Sequence, residues 1–82
     1  MAKTMLRPDE LAQAIMVQLR YRDCCKHLLN VEITPVRDPM IDSNWEISGY
    51  PVVGAPPVLH DCKIEAMAAQ ERLRKLFDAI WP

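Results

Sequence analysis

The apolar residues near the C-terminal end recur at alternating steps of four and three residues, and this spacing constrains the fold more than any other feature. The stripe consists of Cys62, Ala66, Ala69, Leu73, Leu76 and Ile80. Such steps place side chains on one face of an α-helix, which has about 3.6 residues per turn. The opposite face carries polar residues, namely Lys63, Gln70, Arg74 and Asp78. With Asp61 as an N-cap, the pattern predicts a helix over about 61–80.

A second helix is predicted near the N-terminal end. Pro8 suits a first helical position, because its missing N–H would have no helical partner there. Asp9 and Glu10 follow it, where acidic side chains favour the positive end of the helix dipole. An apolar stripe continues the pattern through Leu11, Ala12, Ile15, Met16 and Leu19. We therefore expect a helix over about 8–22.

Two segments between these helices alternate in polarity, as half-buried strands do. The first spans about 31–37 and directs Val31 and Ile33 to the core, and the second spans about 44–50 and directs Trp45 and Ile47 there. Pro35 lacks an N–H, so its strand is an edge strand or ends at this residue. The pair is predicted to form an antiparallel hairpin with a loop between the strands.

The chain has 82 residues, enough for one domain, 1–82. The order helix, strand, strand, helix predicts a two-layer α+β unit (α-β-β-α), in which both helices cover one face of the hairpin. Such a hairpin keeps free edges, and neither strand carries an outward lysine to deter pairing. Pairing with a second copy would cover these edges, so we expect a homodimer.

A proline-rich apolar segment and a tryptophan near the end of the chain add candidate contact residues. The segment 51–59 contains three prolines and a glycine, which exclude a helix and disfavour a central strand. Its apolar side chains and a large ring at a chain end both call for cover by the protein's own core or by an unidentified protein partner. The predicted interaction surface comprises Trp81, Val52, Val53 and Leu59.

Charge is nearly balanced, with ten Lys and Arg against eleven Asp and Glu, for a net charge of −1. This balance excludes a polybasic nucleic-acid arm and an acidic tail. The first third of the chain still offers a modest set of basic residues: Arg7, Arg20, Arg22 and Lys26. A nucleic-acid-contacting module using this set is an alternative function, although the near-neutral pI disfavours strong phosphate binding.

The cysteine content predicts a reducing compartment. There are three cysteines, an odd number, and two of them, Cys24 and Cys25, are adjacent. Adjacent cysteines rarely bond to each other because the ring they would close is strained, so the sequence disfavours a disulfide framework. The first residues lack the apolar core of a signal peptide, and no uncharged run is suited to crossing a membrane. We therefore expect a cytoplasmic protein.

Five residues that could bind a soft metal form two groups along the chain. The first group is Cys24, Cys25 and His27, and the second is His60 and Cys62. If the two helices run antiparallel, the groups could meet and hold zinc, which takes four such ligands. The spacings of zinc ribbons and fingers are absent, and Cys62 lies on the apolar stripe, which favours a core position. A zinc-binding protein is thus a second alternative function.

No motif specifies a reaction or a cofactor. Gly49 and Gly54 do not form a glycine-rich loop before a helix. A nucleophilic Cys24 or Cys25 would need a base and an orienting third group. Lys26 and His27 lie beside them in sequence, but sequence neighbours do not face each other in a helix, and no oxyanion-type glycine turn accompanies them. The sequence therefore predicts a small non-enzymatic interaction or accessory module that self-associates.

The segment Asp42-Ser43-Asn44-Trp45-Glu46-Ile47 opens the second predicted strand with an Asn-Trp pair. In this opening, in size and in the order of a helix, a hairpin and a closing helix, the chain resembles small uncharacterised bacterial proteins. The resemblance implies a helix–hairpin–helix outline, and it implies no activity, cofactor or catalytic residue.

Overall fold

The described residues form two helices and two small sheets, so the predicted α+β class is confirmed. The computed structural model describes residues 3–26, 28–38, 40–51 and 60–81. Its elements are β1 (Thr4–Leu6), α1 (Pro8–Leu19), β2 (Glu32–Pro35), β3 (Trp45–Gly49), α2 (His60–Arg74) and β4 (Phe77–Ala79). A short 3-10 turn, Asp23–Cys25, lies between α1 and β2.

Helix α1 buries the stripe that its sequence predicts. Leu11, Ala12, Ile15 and Leu19 all belong to the core. At its start, Glu10 Oε1 accepts a hydrogen bond from the Arg7 backbone N–H at 3.0 Å, which satisfies one free donor of the first turn. The helix ends at Leu19, before the predicted residue 22, because the backbone is extended at Arg22 (φ −100°, ψ 119°).

The predicted hairpin is present, with shorter strands than expected. Strands β2 and β3 pair antiparallel, with Thr34 opposite Glu46 and Ile33 opposite Ile47. Strand β2 ends at Pro35, as the missing N–H predicts. Trp45 is fully buried at the start of β3, and the partly buried Ile33 and Ile47 pack on the same core. Helix α1 contacts β2 and helix α2 contacts β3, which covers one face of the hairpin.

The C-terminal helix is shorter than predicted. Four stripe residues are buried, Cys62, Ala66, Ala69 and Leu73, but α2 ends at Arg74 instead of continuing to residue 80. The chain turns at Lys75 and Leu76, and β4 then pairs parallel with β1. Leu76 and Ile80 are consequently exposed, since they are no longer on the helix that would have buried them. Neither described helix is long and apolar enough to cross a membrane.

Two leucines three residues apart test this end of the helix. Leu73 is 5% exposed and Leu76 is 58% exposed. We expect Leu73→Ala to lower the free energy of unfolding by about 2–5 kcal/mol, the cost of removing a buried leucine side chain. The matched change Leu76→Ala should alter it by less than about 0.5 kcal/mol, as exposed substitutions do. Urea unfolding followed by circular dichroism measures both, and equal effects would mean that α2 continues past Arg74.

Candidate functional site

The three cysteines meet at one end of the helical layer. A disulfide joins Cys25, in the turn after α1, to Cys62 in the first turn of α2, across a Cα–Cα distance of 5.0 Å. The expectation that disulfides are absent is therefore wrong. Strain in an adjacent pair disfavours only a lasting bond between Cys24 and Cys25. The fold instead brings one member of that pair against a cysteine 37 residues further along the chain.

Cys24 remains a free thiol beside this disulfide. Its Sγ lies 4.0 Å from the Cys25 Sγ, and its side chain is partly exposed. An open groove of about 410 Å³ passes over it between the end of α1 and the start of α2. The residues that line the groove are Tyr21, Arg22, Asp23, Cys24, Asp61, Ile64 and Glu65. Among them, Arg22 Nε and Glu65 Oε2 form an ion pair at 3.5 Å.

The geometry does not assemble the predicted zinc ligands. Cys25 and Cys62 are bonded to each other, so neither offers a thiolate to a metal in this state. His60 is exposed at the first residue of α2, and His27 lies outside the described residues. Within the part of the chain that the structure describes, no group of three or more His, Cys, Asp or Glu is placed to hold a metal ion.

The four basic candidates for nucleic-acid contact lie before and after α1. Arg7 precedes the helix and pairs with Asp9 and Glu10, at 3.5 and 3.2 Å. Arg20 and Lys26 are exposed beyond the other end of the helix, separated from Arg7 by about 18 Å of helix. Arg22 is the partner of Glu65 described above. Acidic neighbours thus accompany two of the four cations, and the set is not gathered into one patch.

Apolar side chains remain exposed on the outer surface of the two helices. We call this set the outer helical face and define it as Val17, Tyr21, Ile64 and Met67. Tyr21 is 85% exposed and Ile64 is 54% exposed, and the two line the same groove. Met67 lies three residues after Ile64 on α2, so helical spacing makes these two side chains neighbours. Val17 lies near the end of α1, and Tyr21 lies in the turn after it. The four exposed apolar side chains thus lie on α1, on the turn after it and on α2, and Tyr21 and Ile64 share one groove.

Polar side-chain contacts fasten the two helices that carry the outer helical face. Arg72 donates to Gln18 Oε1 through Nη2 at 2.6 Å and through Nε at 3.1 Å. The Arg22–Glu65 ion pair makes a second connection between the end of α1 and helix α2. These contacts hold the outer helical face as one surface carried by two packed helices.

The outer edge of β3 is covered by side chains of α2, whereas the sequence predicts free edges on the hairpin. Gln70 Oε1 accepts a hydrogen bond from the Ile47 backbone N–H at 2.7 Å. The Arg74 guanidinium donates to the Trp45 carbonyl oxygen through Nε and Nη2, at 3.1 and 3.0 Å. Gln70, predicted to face solvent, is consequently only 2% exposed. An amide bordering an apolar stripe is the one sequence signal that could have indicated this role.

Asn44 and two tryptophans connect the hairpin to β4. The Asn44 side chain accepts a hydrogen bond from the Ala79 N–H and donates one to the Ala79 carbonyl oxygen, both at 2.8 Å. Trp45 Nε1 donates to the Phe77 carbonyl oxygen at 3.0 Å, and Trp81 Nε1 donates to the Asn44 carbonyl oxygen at 2.9 Å. Local sequence patterns gave no indication of these contacts, because they join residues more than thirty positions apart.

Trp81 is half-buried, so only part of its ring is available to a partner. Its ring packs against the core and lines a shallow apolar groove with Pro35 and Val36. The other predicted contact residues, Val52, Val53 and Leu59, lie outside the described residues.

One tyrosine lies near the start of α2 and departs from its ordinary titration. The Lys63 ammonium is 5.9 Å from the centre of the Tyr50 ring, within the range of a cation–π contact. Burial raises the pKa of the Tyr50 hydroxyl above its ordinary value.

Comparisons with protein-family models, with curated proteins and with solved structures each found no match to this chain. The function is therefore argued from the chain's own surfaces and chemistry.

Proposed function

We propose that this chain is a small non-enzymatic module that self-associates as a homodimer through the outer helical face. The observation that carries the proposal is the exposure of Val17, Tyr21, Ile64 and Met67 on two helices fastened to each other and on the turn after α1. Grouped exposed apolar residues mark an interaction site more often than single exposed residues do. A large aromatic ring such as Tyr21 is a frequent anchor in protein interfaces.

The charges around the outer helical face favour a second copy of the chain as the partner. Arg22, Asp61 and Glu65 line the groove that Tyr21 and Ile64 share, and Arg22 and Glu65 form an ion pair there. A face bordered by both signs of charge can match itself across a two-fold axis, because each residue then meets a different residue of the copy. An apolar centre within a polar border is the usual composition of such interfaces.

Sheet pairing between copies is a weaker route to the same dimer. Gln70 and Arg74 already bond the Ile47 N–H and the Trp45 carbonyl oxygen, two backbone groups that β3 would otherwise offer to another strand. Strand β2 includes Pro35, which has no N–H to donate. The helices therefore carry the proposed interface, and the sheets do not.

Cytoplasm remains the proposed compartment. In a reducing compartment the Cys25–Cys62 disulfide would be transient or redox-sensing rather than permanent. The self-association proposal does not depend on the state of this bond, because the outer helical face contains no cysteine.

Sedimentation equilibrium at several protein concentrations tests the proposal. We expect the wild-type protein to be dimeric and Ile64→Lys to raise the dissociation constant by about tenfold or more, equivalent to ~1.4 kcal/mol, because a charge would be buried without a partner. Leu76→Lys is the matched control: Leu76 is as exposed as Ile64 but lies in the turn after α2, so this variant should dimerise like the wild type. A wild-type protein that stays monomeric at every concentration would contradict the proposal.

A further inference from the structure

Cys24 is the cysteine of this chain that solvent can reach. It is partly exposed at the floor of the groove between α1 and α2, whereas Cys25 and Cys62 are buried. The Cys24 Sγ is 4.0 Å from the Cys25 Sγ, so the free thiol lies next to one sulfur of the disulfide. In the separate protomer, a dissolved thiol or disulfide therefore meets Cys24 before it can meet the buried bond. Tyr21 and Ile64 of the outer helical face line the same groove, so the exchange belongs to the dissociated protomer.

We propose that Cys24 is an exchange site through which small thiols and disulfides open and close the Cys25–Cys62 bond. Opening begins when the Cys24 thiolate, having lost its proton to water, attacks the Cys25 Sγ. A Cys24–Cys25 bond forms, the Cys25–Cys62 bond breaks, and Cys62 leaves as a thiolate that takes up a proton.

External thiols complete the exchange in two steps. An external thiolate attacks the Cys24 Sγ, which forms a mixed disulfide and releases Cys25 as a thiolate that is then protonated. A second external thiolate attacks the external sulfur of this mixed disulfide and releases Cys24. In total, two small thiols are oxidised to one disulfide, and the protein disulfide is reduced to two thiols. Closing is the reverse sequence and requires a small disulfide as oxidant.

The bond between adjacent cysteines is suited to be an intermediate and not a resting state. Adjacent Cα atoms are about 3.8 Å apart, whereas disulfides usually span about 4.4–6.8 Å between Cα atoms. The Cys25–Cys62 pair has a Cα–Cα distance of 5.0 Å, within that range. Strain in the adjacent pair therefore returns the bond to Cys62 or delivers it to an external thiol.

The groove charges indicate which small thiols react fastest. Three carboxylates, of Asp23, Asp61 and Glu65, and one guanidinium, of Arg22, line the groove around Cys24. This excess of negative charge attracts a cationic thiol and repels an anionic one, and salt screens both effects. The preferred class is therefore small aminothiols such as cysteamine, ahead of anionic thiols such as glutathione.

Opening of the oxidised protein by cysteamine, under native conditions and at a protein concentration where it sediments as a monomer, tests the exchange site. Free thiols are alkylated at timed intervals and counted by mass spectrometry. We expect Cys24→Ser to open about tenfold more slowly than the wild type, since the reductant must then reach buried sulfurs. A second sample, wild-type protein alkylated at Cys24 while folded and oxidised, should open as slowly as Cys24→Ser. This sample begins from the native fold and separates the chemistry of Cys24 from any folding defect.

Equal opening rates in the three samples would overturn the proposal, because the reductant would then reach Cys25 or Cys62 without Cys24. The charge preference has its own comparison, in which cysteamine and glutathione are used at equal thiolate concentration. Cysteamine should open the Cys25–Cys62 disulfide of the wild type faster than glutathione does. Asp61→Asn should reduce this difference in rate, because it removes one carboxylate from the groove. If glutathione is the faster reagent, the aminothiol preference is wrong.

Discussion

Replacing Trp45 by alanine is expected to lower the free energy of unfolding by about 3–5 kcal/mol, the usual cost of removing a large buried aromatic ring. Trp45 is fully buried, and its Nε1 also donates to the Phe77 carbonyl oxygen of β4. A domain of this size has only about 5–15 kcal/mol of stability in total. The variant should therefore be close to unfolding at room temperature, which urea titration followed by circular dichroism measures.

Trp45→Phe separates the ring from its hydrogen bond. Phenylalanine retains most of the apolar contact but leaves the Phe77 carbonyl oxygen without its donor, and a buried acceptor left unsatisfied costs about 1–3 kcal/mol. We expect this variant to lie between the wild type and Trp45→Ala. A loss below about 1 kcal/mol for Trp45→Ala would contradict the central position of Trp45 in the core.

Reduction of the Cys25–Cys62 disulfide is expected to lower the free energy of unfolding by about as much as Trp45→Ala does. The bond joins residues 37 positions apart. In the chain-entropy account, closing a loop of this length in the unfolded chain contributes about 4 kcal/mol of stability. Urea unfolding of the wild type with and without a phosphine reductant gives the difference directly, and the reduced protein should unfold at the lower urea concentration.

Two variants test whether the difference in stability between oxidised and reduced protein comes from the Cys25–Cys62 disulfide itself. The double variant Cys25→Ala with Cys62→Ala should resemble the reduced wild type and should not respond to reductant. Cys24→Ser, which retains the bond, should unfold like the oxidised wild type. Unfolding curves of oxidised and reduced wild type that coincide would show that the disulfide adds no stability to this fold.

The helices and the hairpin are predictable because short-range patterns encode them. The four-and-three spacing of α2 and the alternation around Trp45 each arise within a few residues, and the structure confirms both elements. The same reasoning continues α2 to residue 80, because Leu76 and Ile80 keep the helical spacing. The strand pairing of Phe77 with Thr4 interrupts the helix, and no local pattern reports a partner at the other end of the chain.

The sequence predicts the candidate site only in part. It indicates Cys24, Cys25 and Cys62 as chemically interesting residues, but the spacing between them does not specify which two bond. The pattern predicts a solvated position for Gln70 and Arg74, because polar residues opposite an apolar stripe usually lie on a solvated face. They cover the edge of β3 instead, since unpaired backbone groups of a strand need hydrogen-bond partners.

From the order of residues alone come the α+β class, the approximate extents of α1 and the hairpin, and the buried stripes, since apolar periodicity depends only on neighbours along the chain. Three features needed the folded chain: the parallel pairing of β1 with β4, the Cys25–Cys62 bond and the covered edge of β3. Each depends on distances between residues far apart in sequence. Packing determines those distances, and local propensity does not contain them.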